Sequence, residues 1–308
     1  MEVTLTAPVH PDLVPDAPLA RFTTIRVGGT ADWLAQPSSA RAVTAALAWA
    51  READVPVAIV GKGSNLLIDD AGFRGLVIRL RGRLEGISVR RDERLWCGGG
   101  ASLPRAVLRA AAAGLTGLEF GASIPGTVGG AVAMNAGAYS GELKDVLEWA
   151  VLCSADGRRR VGLDDLLFGY RSSAVRPFEV VAAVSFRLRA GDTEEIQATL
   201  AGFRTHRRET QPQGVRTFGS VFTNPAGASA GRLLEGAGCK GLAVGGARFS
   251  PVHANFIEAS AGCSSNDVLG LMSEGRRRVR AAGGPLLESE VRYLHPVRGI
   301  GAPPLKEL

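Results

Sequence analysis

The amino-acid sequence predicts an α+β fold in which short strands and helices interleave without regular βαβ repetition. Short apolar runs with strand character recur along the chain, and helical stretches with recognisable caps lie between them. Glycine contributes 40 of the 308 residues, well above the usual ~7% and without a collagen period. The chain should therefore contain many loops and close backbone contacts.

Strands and helices are predicted in the following order. The predicted strands are Phe22–Val27, Ala31–Ala35, Val55–Val60, Leu66–Ile68, Gly75–Leu80, Ile87–Arg90, Arg94–Gly98, Val146–Cys153, Arg159–Gly162, Val180–Leu188, Ala254–Glu258 and Glu290–Leu294. The predicted helices are Ala40–Ala53, Leu103–Ala113, Thr193–Arg208, Ala230–Gly236 and Ser265–Ala281. Ser38-Ser39 offers an N-cap to the first helix, and Gly114 ends the second. A leader containing several prolines runs to about Pro18.

The chain length allows two or three lobes around a sizeable core. A polar turn at Ala190-Gly191-Asp192-Thr193 is a candidate boundary. We expect an N-terminal domain over residues 20–190, built of lobes at about 20–80 and 81–190. A smaller α+β domain should follow over residues 193–300.

The low aromatic content and the lack of a binding motif argue against a nucleic-acid partner, although the chain is basic. The net charge is +6, but aromatic residues make up only 6% of the chain and no nucleic-acid-binding motif is present. The clusters Arg158–Arg160 and Arg276–Arg278 are interpreted as solvated faces. Arg204, Arg207 and Arg208 precede a glycine-serine loop and could instead receive a phosphorylated substrate.

Cysteine and histidine usage predicts no metal site. The four cysteines are widely spaced and should be reduced, mostly buried side chains, and the four histidines are dispersed. No secretory signal or apolar span of about 18 residues is apparent, so we expect a cytoplasmic protein without a membrane partner.

Two glycine-rich segments predict a large bound cofactor. Residues 121–138 hold five glycines and no charge, which suits either a ligand against bare backbone or a tight turn packed on the protein itself. The loop Gly61-Lys62-Gly63-Ser64-Asn65 follows an apolar strand and could hold a pyrophosphate in a nest of N–H groups. It matches neither a P-loop nor a dinucleotide fingerprint. Gly28-Gly29 adds a third glycine turn.

Several polar residues stand beside glycine or apolar residues. Arg171 could clamp a carboxylate or form a surface ion pair, and Ser220 could be a proton donor or a turn serine without a neighbouring base. Glu290 could be catalytic or a solvated strand end. His253 could contact a ligand together with Asn255, or be a satisfied core residue.

These motifs together resemble a known family. Gly61-Lys62-Gly63-Ser64-Asn65, Ser123-Ile124-Pro125-Gly126-Thr127-Val128-Gly129-Gly130, Asn135-Ala136-Gly137-Ala138-Tyr139, Tyr170-Arg171-Ser172-Ser173, Gly219-Ser220-Val221-Phe222, His253-Ala254-Asn255-Phe256 and Glu290-Val291-Arg292 occur in the family's order. The sequence resembles the UDP-N-acetylenolpyruvoylglucosamine reductases (MurB family) of bacterial peptidoglycan synthesis. The spacing is similar to that of the subtype lacking a tyrosine-bearing loop.

The resemblance implies a two-lobed vanillyl-alcohol-oxidase-like (PCMH-type) FAD-binding domain, a C-terminal substrate domain, FAD as cofactor and NADPH as reductant. It implies catalytic roles for Arg171 and Glu290, which would polarise the enolpyruvyl carboxylate, and for Ser220, which would protonate C2. The implied cofactor-binding residues are Gly61, Lys62, Gly63, Ser64, Asn65, Leu66, Gly121, Ser123, Ile124, Pro125, Gly126, Thr127, Gly129, Gly130, Ala131, Asn135 and Gly137. The implied substrate-binding residues are Tyr170, Arg208, Asn224, His253 and Asn255.

Two departures from the family pattern affect the substrate diphosphate. Thr223 stands where many relatives have lysine, and the segment Arg207–Pro212 varies a basic run. A monomer acting on a small-molecule substrate is expected. Another FAD-dependent oxidoreductase of the same superfamily, or a basic polyanion-binding protein, are the alternatives.

Overall fold

The structure is a computed structural model that describes residues 13–305. Most of the predicted leader, and His10 within it, lie outside the described residues. Among the described residues, no helix combines the length and apolar composition needed to span a bilayer.

Seven α-helices and nineteen strands are found between residues 13 and 305. The helices are α1 Ala40–Glu52, α2 Leu103–Ala111, α3 Val128–Ala133, α4 Leu163–Leu166, α5 Thr193–Thr210, α6 Ala230–Gly236 and α7 Ser265–Ala281. The strands are β1 Leu13–Pro18, β2 Thr30–Ala35, β3 Val57–Ile59, β4 Leu66–Ile68, β5 Phe73–Ile78, β6 Ile87–Val89, β7 Arg94–Gly98, β8 Leu115–Thr116, β9 Gly137–Ala138, β10 Gly141–Glu142, β11 Leu147–Ser154, β12 Gly157–Val161, β13 Val180–Arg187, β14 Arg189–Ala190, β15 Ala243–Val244, β16 Ala247–Phe249, β17 Ile257–Ala259, β18 Arg292–His295 and β19 Gly299–Gly301.

The chain forms two compact units, each assembled from separate stretches of sequence. Within residues 13–305, the first comprises residues 13–15, Trp33–Gly61 and Gly75–His206; the second comprises Asp16–Asp32, Lys62–Arg74 and residues 207–305. The chain passes between the units inside β1, β2, β5 and α5, and at Gly61-Lys62. The predicted domains 20–190 and 193–300 stay predictions.

The first unit is built on a five-stranded sheet in the order β12-β11-β13-β7-β6, in which every neighbouring pair is antiparallel. Its two faces bury different clusters. Val181 packs with side chains of α2 and α3, whereas its neighbour Ala182 packs with side chains of α1. Because successive side chains of a strand point to opposite faces, helices cover both sides of this sheet.

The second unit holds two three-stranded sheets and two helices. The order β15-β16-β17 is antiparallel, while β18 lies parallel to β4 and antiparallel to β19. Phe222 and Phe249 are fully buried in one core with Leu234 of α6 and Leu271 of α7. This core supports the segments around Ser220 and Glu290.

Most predicted elements are confirmed, including α6 and α7 with their predicted bounds. Ser39 caps α1 by accepting a hydrogen bond from Ala42 N at 3.2 Å. All four cysteines are free, three of them buried, and burial raises the pKa of Cys97 to about 12. Residues 13–305 contain no cluster of His, Cys, Asp and Glu suited to a metal ion.

The predicted strand Phe22–Val27 is wrong. Ala20–Phe22 forms a 3₁₀ turn, and the Thr23 hydroxyl then donates to Ala20 O at 3.0 Å and accepts from Arg26 N at 3.1 Å. Arg26 has φ +64°. Local side-chain bonding therefore curls this segment, in competition with strand pairing.

Glu148 on β11 lies at the centre of an ionic network. Its carboxylate accepts hydrogen bonds from Arg94 at 2.8 Å, Arg187 at 3.0 Å and Ser185 at 3.0 Å. These donors, Arg94 foremost, lower the pKa of Glu148 to about 2.

We expect Glu148→Gln to lower the free energy of unfolding at pH 7 by about 1.5–3 kcal/mol, the range for hydrogen bonds to charged groups. The folded-state pKa lies below the ordinary value of 4.5, so the stabilisation is complete above that pH and lost as the pH falls toward 2. Chemical denaturation at pH 7 and pH 3 measures the difference. The exposed Glu52→Gln on α1 is the control; equal destabilisation at both pH values would contradict the expectation.

Candidate active site

The glycine-rich run of the first unit contains a helix that the sequence did not predict. Thr127 caps α3 by accepting from Gly130 N at 3.2 Å. Gly129 N donates to Gly99 O at 2.7 Å, and a Cβ on Gly129 would lie 2.9 Å from that oxygen. A Cβ on Gly121 would lie 3.2 Å from the Leu103 and Val107 side chains. At Gly121 and Gly129 the protein itself lies against the glycine, in agreement with the tight-turn alternative.

Other residues of the run remain open to a ligand. Pro125 and Gly130 are exposed, and Ser123, Ile124 and Gly126 are half-buried. Gly61 also belongs to this unit, and a Cβ there would lie 2.5 Å from Thr127 Oγ1. A residue other than glycine at position 61 would therefore collide with the N-cap of α3. Ala131 is buried in the core, so only its backbone could serve a ligand.

The loop 62–65 in the second unit holds unpaired backbone donors. Gly63 is buried with φ +57°, and a Cβ there would lie 2.4 Å from Phe22 O. Within residues 13–305 the N–H groups of Gly63, Ser64 and Asn65 donate no hydrogen bond. Ser64 and Asn65 are only half-buried, and a run of successive N–H groups without acceptors among these residues suits an anionic group such as a pyrophosphate. The buried Leu66 continues into β4.

Arg171 lies at the tip of a tight turn in the first unit. Reciprocal backbone hydrogen bonds between Gly169 and Ser172, at 3.1 and 3.3 Å, close the turn around Tyr170 and Arg171. Arg171 has φ +53°, a conformation that costs of order 1–3 kcal/mol for a residue other than glycine. Its Nη2 donates to Gly137 O at 2.9 Å, and its guanidinium lies 5.1 Å from the centre of the exposed Tyr170 ring.

Asn135 lies behind that turn and is fully buried. Its Nδ2 donates to Glu142 Oε2 at 2.9 Å and to Gly169 O at 3.0 Å, while its Oδ1 accepts from Lys144 N at 3.2 Å. The resemblance placed Asn135 against the cofactor, and the sequence did not single out Glu142. The local signal for Glu142 is the capping box that it forms with Asp145.

In the second unit, Val221 connects the segments that carry Ser220 and Glu290. Val221 O accepts from Glu290 N at 2.9 Å, and Val221 N donates to Asn255 O at 2.9 Å. Glu290 O in turn accepts from Asn65 Nδ2 at 2.9 Å. Hydrogen bonds thus link Val221, which follows Ser220, to Glu290, and Glu290 to the 62–65 loop.

Asn255 has its amide committed to the backbone. Its Oδ1 accepts from Phe222 N at 2.9 Å and its Nδ2 donates to Phe222 O at 2.8 Å, with 4% of the residue exposed. His253 Nδ1 accepts from Asn255 N at 3.2 Å, and burial lowers the pKa of His253. His253 matches the satisfied-core alternative that the sequence left open for it, and the contact of both residues with substrate stays a prediction.

The remaining predicted substrate residues are solvent-accessible. Asn224 accepts from Ala230 N at 3.0 Å through Oδ1, and the residue itself is exposed. Arg208 is exposed near the end of α5. Thr223 bonds Glu288 O through both its N–H, at 2.9 Å, and its hydroxyl, at 3.3 Å.

Comparison with known proteins gives the chain's relationships. Residues 31–161 match the family model for an FAD binding domain, and residues 211–294 match that for the UDP-N-acetylenolpyruvoylglucosamine reductase C-terminal domain. The protein of that name from Anaeromyxobacter sp. (strain Fw109-5) is 48% identical over 286 residues, covering 93% of this chain and 90% of the relative. The one from Synechococcus sp. (strain WH7803) is 44% identical, covering 90% and 91%.

A solved structure agrees with these matches. The crystal structure of UDP-N-acetylenolpyruvylglucosamine reductase (MurB) from Thermus caldophilus aligns with a TM-score of 0.79 at 37% identity, over 91% of this chain and 97% of that one. The predicted α+β fold with an FAD-binding domain and a C-terminal domain is confirmed. The chain belongs to the UDP-N-acetylenolpyruvoylglucosamine reductase family.

Proposed function

We infer that this protein is a flavoprotein oxidoreductase that reduces UDP-N-acetylglucosamine enolpyruvate to UDP-N-acetylmuramate with NADPH, a step of peptidoglycan synthesis. Family membership and the FAD-binding domain carry the activity. The structural observation that supports it most directly is the set of hydrogen bonds that links Glu290 to Val221, the neighbour of Ser220, and to Asn65 of the 62–65 loop. Nothing in the relatives favours a different flavin oxidoreductase or a polyanion-binding protein.

The described residues fit FAD at its most polar part. Gly63, Ser64 and Asn65 offer N–H groups without acceptors among residues 13–305, which suits the pyrophosphate. The accessible backbone of Ser123, Gly126 and Gly130 is proposed for the flavin portion. When bound, FAD accepts a hydride from NADPH and delivers one to C3 of the enol ether.

Arg171 is proposed to bind the substrate carboxylate. A guanidinium offers parallel donors that match a carboxylate, and it stays charged at all working pH values. Negative charge develops at C2 and across the carboxylate during reduction, so a fixed cation there stabilises the transition state more than the ground state. Glu290 is proposed to bond the same group as the enolate forms.

Ser220 is proposed to donate its hydroxyl proton to C2. A serine hydroxyl is a poor acid in water, so this role requires a site from which water is excluded and a carbanion-like acceptor within hydrogen-bond reach. Gly219, with φ +83°, sets the backbone direction just before Ser220. The hydrogen bonds of Val221 fix the residue that follows it.

Contact with the substrate is also proposed for five further residues, Tyr170, Arg208, Asn224, His253 and Asn255. Exposure favours Tyr170, Arg208 and Asn224 for direct contact. A cytoplasmic monomer is proposed on the resemblance to the family.

The reaction itself is tested by anaerobic half-reactions. The purified protein should be yellow, and NADPH should bleach the flavin absorbance near roughly 450 nm, a wavelength general to flavins. Adding the enolpyruvyl substrate should then restore the absorbance and yield UDP-N-acetylmuramate. Failure of the substrate to reoxidise the flavin, with NADPH reduction intact, would place the chain among other flavin oxidoreductases. A colourless protein that binds no added FAD would contradict both the proposed reaction and any other flavin-dependent activity.

We expect Ser220→Ala to be reduced by NADPH at the normal rate and to be reoxidised by substrate about 10²- to 10⁴-fold more slowly, the usual contribution of a positioned proton donor. Stopped-flow absorbance of each half-reaction measures this. Ser260→Ala is a matched control, because Ser260 is exposed and its hydroxyl donates to Gly246 O at 3.0 Å, away from these motifs. Normal turnover by Ser220→Ala would remove Ser220 from the role.

We expect Gly63→Ala to be purified with less FAD than wild type. The added Cβ would lie 2.4 Å from Phe22 O and would sit at φ +57°, so the 62–65 loop must shift and its free N–H groups with it. The ratio of flavin absorbance to protein absorbance measures occupancy, and FAD titration gives the change in affinity. Gly236→Ala in α6, where nothing lies within 4 Å of the added carbon, should keep full occupancy.

A further inference from the structure

Asn135 is a fully buried polar side chain whose bonds surround the Arg171 turn. Three hydrogen bonds join its amide to Glu142 Oε2, Gly169 O and Lys144 N. Asn135 has φ +41°, in the left-handed region that asparagine tolerates better than most residues. The fold therefore places a strained, desolvated amide at this point, and no part of the proposed chemistry uses it directly.

The bond to Gly169 O fixes one end of the turn that carries Arg171. Gly169 and Ser172 pair with each other across the turn, so a shift of Gly169 moves both ends. Ser173 follows the turn, and its hydroxyl donates to Ala133 O at 2.9 Å. Ala133 lies two residues before Asn135 in the chain. The segment 133–135 thus holds the base of the turn from both sides.

The bond to Glu142 fixes the surroundings of the guanidinium. Gly137, whose carbonyl accepts from Arg171 Nη2, pairs with Glu142 in the hairpin β9/β10. A Cβ on Gly137 would lie 2.9 Å from Glu142 Cγ and 3.3 Å from Arg171 Nη1. Lys144, whose Nζ lies 2.8 Å from Glu142 Oε2, and Arg171 are the cations that face this carboxylate, and they hold the pKa of Glu142 below its usual value.

We propose that Asn135 is a positioning residue for Arg171, holding the turn through Gly169 and the neighbouring carboxylate through Glu142 so that the guanidinium meets the substrate carboxylate. The inference rests on the proposed role of Arg171 in substrate reduction. It departs from the sequence-based expectation that Asn135 contacts the cofactor, because its amide is fully buried and bonded to protein. A misplacement of about 1 Å in such a group costs on the order of 10²-fold in rate.

Asn135→Asp is the sharpest test. Aspartate has nearly the same size and tolerates the same φ, but when ionised it has no donor for Gly169 O and it repels Glu142. We expect reoxidation of the reduced enzyme by substrate to slow by about 10- to 100-fold, with FAD content and reduction by NADPH unchanged. Gln197→Glu, an exposed position on α5, adds the same charge without touching the network and should match wild type.

A pH profile separates positioning from general loosening. In the Asn135→Asp variant, protonation of the introduced carboxyl restores one O–H donor, which can bond Gly169 O or Glu142, and removes the repulsion between the two carboxylates. The substrate half-reaction of this variant should therefore recover relative to wild type as the pH falls from about 8 to about 5.5, toward the range in which paired carboxyls titrate. A variant that is slow at every pH in the same proportion would overturn the proposal.

Asn135→Ser is a second variant, since its hydroxyl supplies one donor without a charge; we expect an intermediate rate with no relative recovery at low pH. Loss of FAD, or equal slowing of both half-reactions, would contradict the positioning role and indicate that Asn135 serves cofactor binding. If wild type itself is not reoxidised by the enolpyruvyl substrate, the proposed function fails instead. If wild type and Arg171→Lys differ but Asn135→Asp matches wild type, only the positioning inference fails.

Discussion

The arrangement around Ser220 depends on one constraint, the double hydrogen bond between the Asn255 amide and the backbone of Phe222. A buried amide that both donates to and accepts from one residue mimics a strand partner and leaves no choice of register. With Phe222 fixed, the carbonyl of Val221 is directed at Glu290 N. Asn65 Nδ2 in turn donates a hydrogen bond to the carbonyl oxygen of Glu290. The backbone around the residues with proposed chemistry is thus held by hydrogen bonds that do not use the Ser220 hydroxyl.

In the first unit, Asn135 makes a similar set of hydrogen bonds to the backbone. There too a buried asparagine replaces missing backbone partners, at a turn whose residues are in strained conformations. Arg171 at φ +53° and Asn135 at φ +41° are held by the surrounding bonds, as strained residues at functional sites commonly are. In both units a buried asparagine amide thus supplies hydrogen-bond partners to backbone groups.

Contacts between residues distant in sequence limit how much of this structure the sequence can predict. Helices with local signals, such as α7 with its Ser264–Asp267 capping box, are predicted with their bounds. Helix α3 is not, because its glycines disfavour a helix locally and its stability comes from contacts such as Gly129 N with Gly99 O. The motifs single out Asn135 and Asn255, but they do not predict the burial of either amide. Sequence proximity to glycine indicates a site without telling whether a polar group faces the ligand or the protein.

The state of His253 follows from the same constraint and bears on the choice of proton donor. Its Nδ1 accepts from Asn255 N at 3.2 Å, so the ring is a neutral tautomer with its proton on Nε2. Burial lowers its pKa, which keeps it neutral at physiological pH. A Cβ on Gly231 would lie 2.8 Å from its Cε1, so the ring is closely packed. A neutral, packed imidazole bonded to backbone supports the loop 253–256 and cannot act as a cationic acid. The proton donor proposed for the reaction therefore stays the Ser220 hydroxyl, and in that role its acidity would come from the carbanion it meets and from exclusion of water.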